Sequence, residues 1–69
     1  MLDETRQDIR KLLRTFGVNA DEAITAHLEQ APGDQPLRLK IILSDETDYG
    51  VDSPTKPLHV EVSGEVARP

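Results

Sequence analysis

The spacing of the apolar residues changes once along this chain, in the segment that contains Pro32 and Pro36. Before this segment, apolar residues recur every three or four positions, which is typical of an amphipathic helix. After it they alternate with polar residues, which is typical of a β-strand. Because 69 residues are enough for one small domain only, the pattern predicts a single α+β domain over residues 1–69.

Two helices are expected in the first part of the chain. Residues 3–16 place their apolar side chains on one face, and Gly17 is expected to end this helix in the left-handed conformation that other residues avoid. Asn19, with Glu22 three residues later, forms a variant of the capping box and predicts a second helix over residues 20–30. Pro32 ends it, because proline cannot continue the helical hydrogen bonds.

A β-hairpin is expected in the second part. The alternating runs over residues 37–43 and 58–66 predict two strands that flank an acidic loop. If Leu43 pairs with Leu58, Lys40 lies across from Glu61 and the outward charges match. We therefore predict an ααββ domain, with both helices packed on one face of an antiparallel hairpin.

The charge and the absence of cysteine exclude several kinds of site. The chain has no cysteine, which excludes a disulfide framework, a cysteine-based zinc site and a thiol nucleophile. The formal net charge is −5, which disfavours DNA, RNA and anionic membranes as partners. Neither a signal peptide nor an apolar run of about 20 residues is present, so we expect a soluble cytoplasmic protein without a cofactor.

Parts of the sequence resemble a family of short bacterial proteins of unknown function. The resemblance covers most of the chain and is carried by the run Ile9-Arg10-Lys11-Leu12-Leu13, by Gly17-Val18 and Ile24, and by residues 58–66. It implies a compact α+β cytoplasmic domain. It implies no activity, cofactor or catalytic residue.

Catalytic chemistry finds little support in the residue types. His27 and His59 are the two histidines, and such a pair could bind a metal or act as acid and base. No third His or Cys ligand stands at a suitable spacing, so ordinary surface histidines are the simpler interpretation. The chain also lacks the G-x-S-x-G motif of serine hydrolases. We expect no enzymatic activity.

The loop over residues 44–57 gathers carboxylates of the kind that a hard cation binds. They are Asp45, Glu46, Asp48 and Asp52. The EF-hand spacing fails, because Thr47 and Tyr49 occupy places that need oxygen-rich ligands. A solvated acidic loop is the alternative, with Tyr49 as a contact residue at its tip.

One face of the first helix is basic. Arg6, Arg10 and Arg14 lie at i, i+4 spacing, where they could bind RNA or an acidic partner, or form a solvated surface. The second predicted helix contains no Lys or Arg, which argues against a DNA-reading helix-turn-helix.

A self-associating interaction module is the leading hypothesis. A two-stranded ribbon leaves both edges unpaired, and the strand over residues 58–66 has neither the proline nor the lysine that commonly protects an edge. We expect a homodimer through this edge, or a protein partner that uses it. The alternatives are weak nucleic-acid binding and a cation-binding loop. The expected partner-binding residues are Arg6, Arg10, Arg14, Tyr49, His59 and Glu61.

Overall fold

The structure is a computed structural model that describes residues 2–69. The chain divides into two compact units, Met1–Gly33 and Asp34–Pro69. The first contains one helix, and the second contains two strands joined by a long loop with a short 3-10 turn. The elements are α1 (Asp3–Gln30), β1 (Leu37–Ser44), the 3-10 turn (Gly50–Asp52) and β2 (His59–Val66). The predicted α+β order is confirmed.

The first unit is one unbroken helix of 28 residues, so the prediction of two helices is wrong. Gly17 stays helical, and within residues 2–69 only Gly50 adopts a positive φ, of 63°. A glycine inside a helix costs only about 1 kcal/mol relative to alanine. Ending the helix would leave about four N–H and four C=O groups without helical partners on the two sides of the break. Continuation through Gly17 is therefore the less costly choice, and Asn19 does not serve as a cap.

The outer ends of α1 lie where the sequence predicts them. The helix begins at Asp3, with Asp3 and Glu4 in its first turn, where acidic side chains complement the helix dipole. At the other end the N–H of Ala31 donates to the carbonyl of His27 at 2.8 Å. Ala31 then leaves the helical region, at φ −110° and ψ 88°, as expected for the residue before a proline.

An apolar stripe follows α1 along most of its length. Ile9, Leu13 and Phe16 lie on this face in the first half of the helix, and each is about half exposed, at 46%, 51% and 46%. Ala20 and Ile24 continue the same face in the second half. Because the helix does not break at Gly17, the two predicted stripes form one.

Replacement of Gly17 by alanine tests the unbroken helix. An added Cβ at this position meets no atom within 4 Å, so Gly17→Ala should stabilise α1 by about 1 kcal/mol and raise its helical content. Far-UV circular dichroism during thermal unfolding measures both.

The matched control is Gly50→Ala, which forces a side chain into a positive φ and should lower stability. If Gly17→Ala lost helical content, residue 17 would have a turn conformation that strains alanine. That result would contradict the single helix.

The second unit is an antiparallel hairpin whose register differs from the prediction. Leu43 pairs with Val60, and Ile41 pairs with Val62. The predicted pairing of Leu43 with Leu58 is therefore wrong by two residues. Alternation determines which face a side chain occupies, and a shift by two residues leaves every face unchanged. The observed register pairs all eight residues of each strand, where the predicted one would leave Val66 unpaired.

The two faces of the hairpin differ in character. One face is apolar, with Ile41 and Leu43 of β1 opposite Val62 and Val60 of β2. The other carries mostly polar side chains. Within residues 2–69 no residue is buried, and Ile41 and Val62 are 44% and 56% exposed. The packing of helical structure on this hairpin stays a prediction.

Candidate functional site

The predicted basic row lies on α1 as expected. Arg6, Arg10 and Arg14 occupy successive turns of the helix and are exposed. Within residues 2–69, no salt bridge joins any of the three to a carboxylate. Like charges at i, i+4 spacing destabilise a helix by about 0.2–0.5 kcal/mol for each pair. Repulsion within the row therefore lowers the stability of the helix slightly, and a bound anionic partner would offset this repulsion.

The second half of α1 has the opposite charge. Between residues 18 and 30 it carries Asp21, Glu22 and Glu29 and no Lys or Arg. The Oδ1 of Asp21 accepts a hydrogen bond from the Thr25 hydroxyl at 3.3 Å. These carboxylates form no ion pair within the described residues. A single helix thus carries a basic row in its first half and only acidic charges between residues 18 and 30, beside one apolar stripe.

Three charged or titratable side chains meet on the polar face of the hairpin. The Nε2 of His59 lies 3.1 Å from Oε1 of Glu61, and the Nζ of Lys40 lies 3.4 Å from Oε2 of the same carboxylate. Sequence reasoning placed Lys40 directly opposite Glu61, whereas Ser63 lies there, so the ion pair is diagonal. All three side chains are about half exposed, and such surface pairs contribute about 0–1 kcal/mol.

The long loop is organised around Asp45. Its Oδ1 accepts the backbone N–H of Thr47 at 2.9 Å, and its Oδ2 accepts the hydroxyl of Tyr49 in a short hydrogen bond. Asp48 accepts the N–H of Gly50 at 2.9 Å, and Gly50 supplies the positive φ that starts the 3-10 turn. Tyr49 is thus held by its own loop, and its ring remains 42% exposed.

These hydrogen bonds shift two pKa values in opposite directions. The hydrogen bonds from Thr47 and Tyr49 stabilise the Asp45 carboxylate and lower its pKa below the usual value. The same bond to Asp45 stabilises the neutral phenol and raises the pKa of Tyr49. Because Asp45 and Asp48 accept hydrogen bonds from the loop itself, some of their oxygens are already engaged. No group of three or more His, Asp or Glu within residues 2–69 is placed to hold a metal ion.

The loop should lose stabilising hydrogen bonds both at low pH and at high pH. The pKa of Asp45 is lowered by folding, so its contribution is present above the ordinary Asp pKa and is lost as the pH falls through the lowered value. The pKa of Tyr49 is raised by folding, so its contribution is present below about pH 10 and is lost as the pH rises through the raised value. Side-chain NMR shifts across a pH titration measure both.

Tyr49→Phe removes one hydrogen-bond donor to Asp45 and should raise the pKa of Asp45 part of the way to its ordinary value, because the Thr47 bonds remain. Ser53→Ala is the control, since the Ser53 hydroxyl donates to the Gly50 carbonyl, at 3.4 Å, instead. An unchanged Asp45 titration in Tyr49→Phe would show that the phenol does not bind this carboxylate in solution.

The hairpin also has an open groove that sequence reasoning missed. It has a volume of about 590 Å³ and lies where Arg38 pairs with Glu65 and Lys40 pairs with Ser63. Its lining is Arg38, Leu39, Lys40, Ser63, Gly64 and Glu65.

The expected partner-binding residues are divided between the two units. Arg6, Arg10 and Arg14 belong to the helical unit, whereas Tyr49, His59 and Glu61 belong to the hairpin unit. Of these, the structure joins His59 to Glu61, and it joins Tyr49 to its own loop. Two of the serines also bond locally: the Ser44 hydroxyl donates to Glu46 at 2.8 Å, and that of Ser53 donates to a carbonyl.

Comparison with known proteins adds no relative. No protein-family model matches the chain, and no curated protein or solved structure is significantly similar to it. Within residues 2–69, no helix combines the length and the apolar character needed to cross a bilayer.

Proposed function

We propose that this chain is a small interaction module that associates with a second copy of itself and has no catalytic activity. The exposure of its apolar side chains carries the proposal. Within residues 2–69 none is buried, although both α1 and the hairpin have an apolar face. Removing apolar surface from water is worth about 25 cal/mol for each Å², so covering these faces is the main source of stability available to the chain.

Each unit needs such support for its own reason. An isolated helix is marginal in water unless packing covers its apolar face, and a lone two-stranded hairpin is marginal as well. The chain contains no cysteine that could form a stabilising disulfide. Small domains without disulfides or metals commonly gain stability by oligomerisation.

The hairpin supports self-association through β2. This strand contains neither proline nor lysine, and in a two-stranded sheet its outer edge pairs with no other strand of the sheet. Antiparallel addition of the same strand from a second copy would give a four-stranded sheet with one continuous apolar face. A foreign strand could use the same edge, so the experiment must be done on the purified chain alone.

Molar mass by light scattering on a sizing column, across a hundredfold dilution, tests the proposal. We expect a dimer of twice the 7.7 kDa chain mass that dissociates on dilution. Val62→Lys, in β2, should weaken the dimer because a lysine on an edge strand disfavours pairing with another strand.

Ile41→Lys is the matched control, since Ile41 pairs with Val62 on the same face but belongs to β1, which does not contact the second copy in the proposed sheet. Circular dichroism establishes that both variants keep their secondary structure. A wild-type chain that is monomeric at every concentration would contradict the proposed function.

A further inference from the structure

Helix α1 has two halves that complement each other. The first half carries Ile9, Leu13 and Phe16 on its apolar face, beside the basic row. The second half carries Ala20 next to the midpoint and Ile24 further along the same face, and it contains acidic residues but no Lys or Arg. A surface whose two halves match in both size and charge is suited to pairing with an inverted copy of itself.

We propose that α1 binds α1 of a second copy in antiparallel orientation, with the twofold axis beside Phe16 and Gly17. This inference rests on the proposed self-association and names the surface and the orientation. The helix has 28 residues, or four heptads, which is long enough for a stable helix–helix seam. Its midpoint falls between Phe16 and Gly17, so an antiparallel pair in full overlap is centred there.

Next to the midpoint, full overlap places large side chains against small ones, whereas further out Ile9 lies opposite Ile24 of the second copy. Residues equally distant from the midpoint face each other, so Leu13 lies opposite Ala20 of the second copy. Phe16 lies beside Gly17 of the second copy, and Gly17 has open space within 4 Å of the position that a Cβ would occupy. Alternation of large and small residues across a seam allows close packing of two helices. A parallel pair would instead set Phe16 against Phe16 and alanine against alanine.

Charge favours the same orientation. Arg10 and Asp21 are eleven residues apart, about three helical turns, so they lie along the same edge of the apolar stripe. The same edges meet in an antiparallel pair, which brings Arg10 close to Asp21 of the second copy, and the twofold axis repeats this contact. In a parallel pair Arg10 and Asp21 of the two copies would instead lie about 16 Å apart along the axis, at 1.5 Å for each of 11 residues. Neither Arg10 nor Asp21 has an ion-pair partner within the described part of its own chain.

Charge reversal tests the contact. Arg10→Glu should raise the dissociation constant of the dimer about tenfold, because two symmetric ion pairs become two repulsive pairs. The double variant Arg10→Glu with Asp21→Arg should restore the wild-type constant to within about threefold. Weakening of the helix cannot account for a loss, since an acid between Arg6 and Arg14 favours the isolated helix.

Lys11→Glu is the matched control. It makes the same charge change at the adjacent residue, which lies about 100° further around the helix and away from the apolar stripe. Its dissociation constant should stay within about twofold of the wild-type value. An equal loss in Lys11→Glu and Arg10→Glu would overturn the proposal, because net charge alone would then explain the effect.

Cysteine cross-linking tests the orientation, and the natural chain has no cysteine to interfere. Arg6 and His27 are equally distant from the helix midpoint. In a mixture of Arg6→Cys and His27→Cys chains, an antiparallel pair should form the mixed disulfide. Copies of the same variant would place their thiols about 31 Å apart along the axis, at 1.5 Å for each of 21 residues.

The outcomes distinguish a failure of the proposed self-association from a failure of the proposed antiparallel helix contact. A wild-type monomer at every concentration overturns both the proposed function and this inference. A dimer that forms disulfides between identical variants is parallel and overturns the orientation alone. A dimer weakened by Val62→Lys but unaffected by Arg10→Glu associates through the hairpin only. Retained dimerisation in Arg10→Glu, with loss of RNA binding at low salt, would instead assign the basic row to nucleic acid.

Discussion

The unbroken ladder of backbone hydrogen bonds through Gly17 determines the character of the whole first unit. Had the chain turned there, residues 3–16 and 20–30 would form two short helices with separate apolar faces. Because α1 continues, the faces join into one stripe and the charges become a gradient along one axis. The helix dipole is complemented by Asp3 and Glu4 in the first turn and by His27 in the last turn.

Two separate features organise the second unit. Alternation in β1 and β2 decides which side chains share a face, and this pattern is insensitive to a shift by two residues. The loop contributes the register, because the Asp45 N–H donates to the carbonyl of Leu58 at 3.3 Å and extends the ladder by one bond. Asp45 also accepts hydrogen bonds from Thr47 and Tyr49, so one residue joins the strand end to the folded loop.

The sequence predicts what depends on local pattern and fails where two local patterns compete. The outer ends of α1, both strands and their faces follow from periodicity and from Pro32. Gly17 and the Asn19 capping signal predict a break in the helix. The apolar residues Ile9, Phe16 and Ile24, however, keep the same helical spacing across Gly17, and this continuity predicts the single helix correctly. The row of Arg6, Arg10 and Arg14 follows from helical spacing. The Asp45–Tyr49 bond does not, because it depends on the loop conformation.

The positions of the helix and the hairpin along the chain also set the order in which they can form. Synthesis completes α1 before either strand, and the outermost strand pair joins Leu37 to Val66. A helix forms within about a microsecond, whereas a hairpin takes about 1–10 μs, and closing a long loop adds an entropic delay. The apolar stripe of the helix is therefore the first apolar surface that a nascent chain exposes.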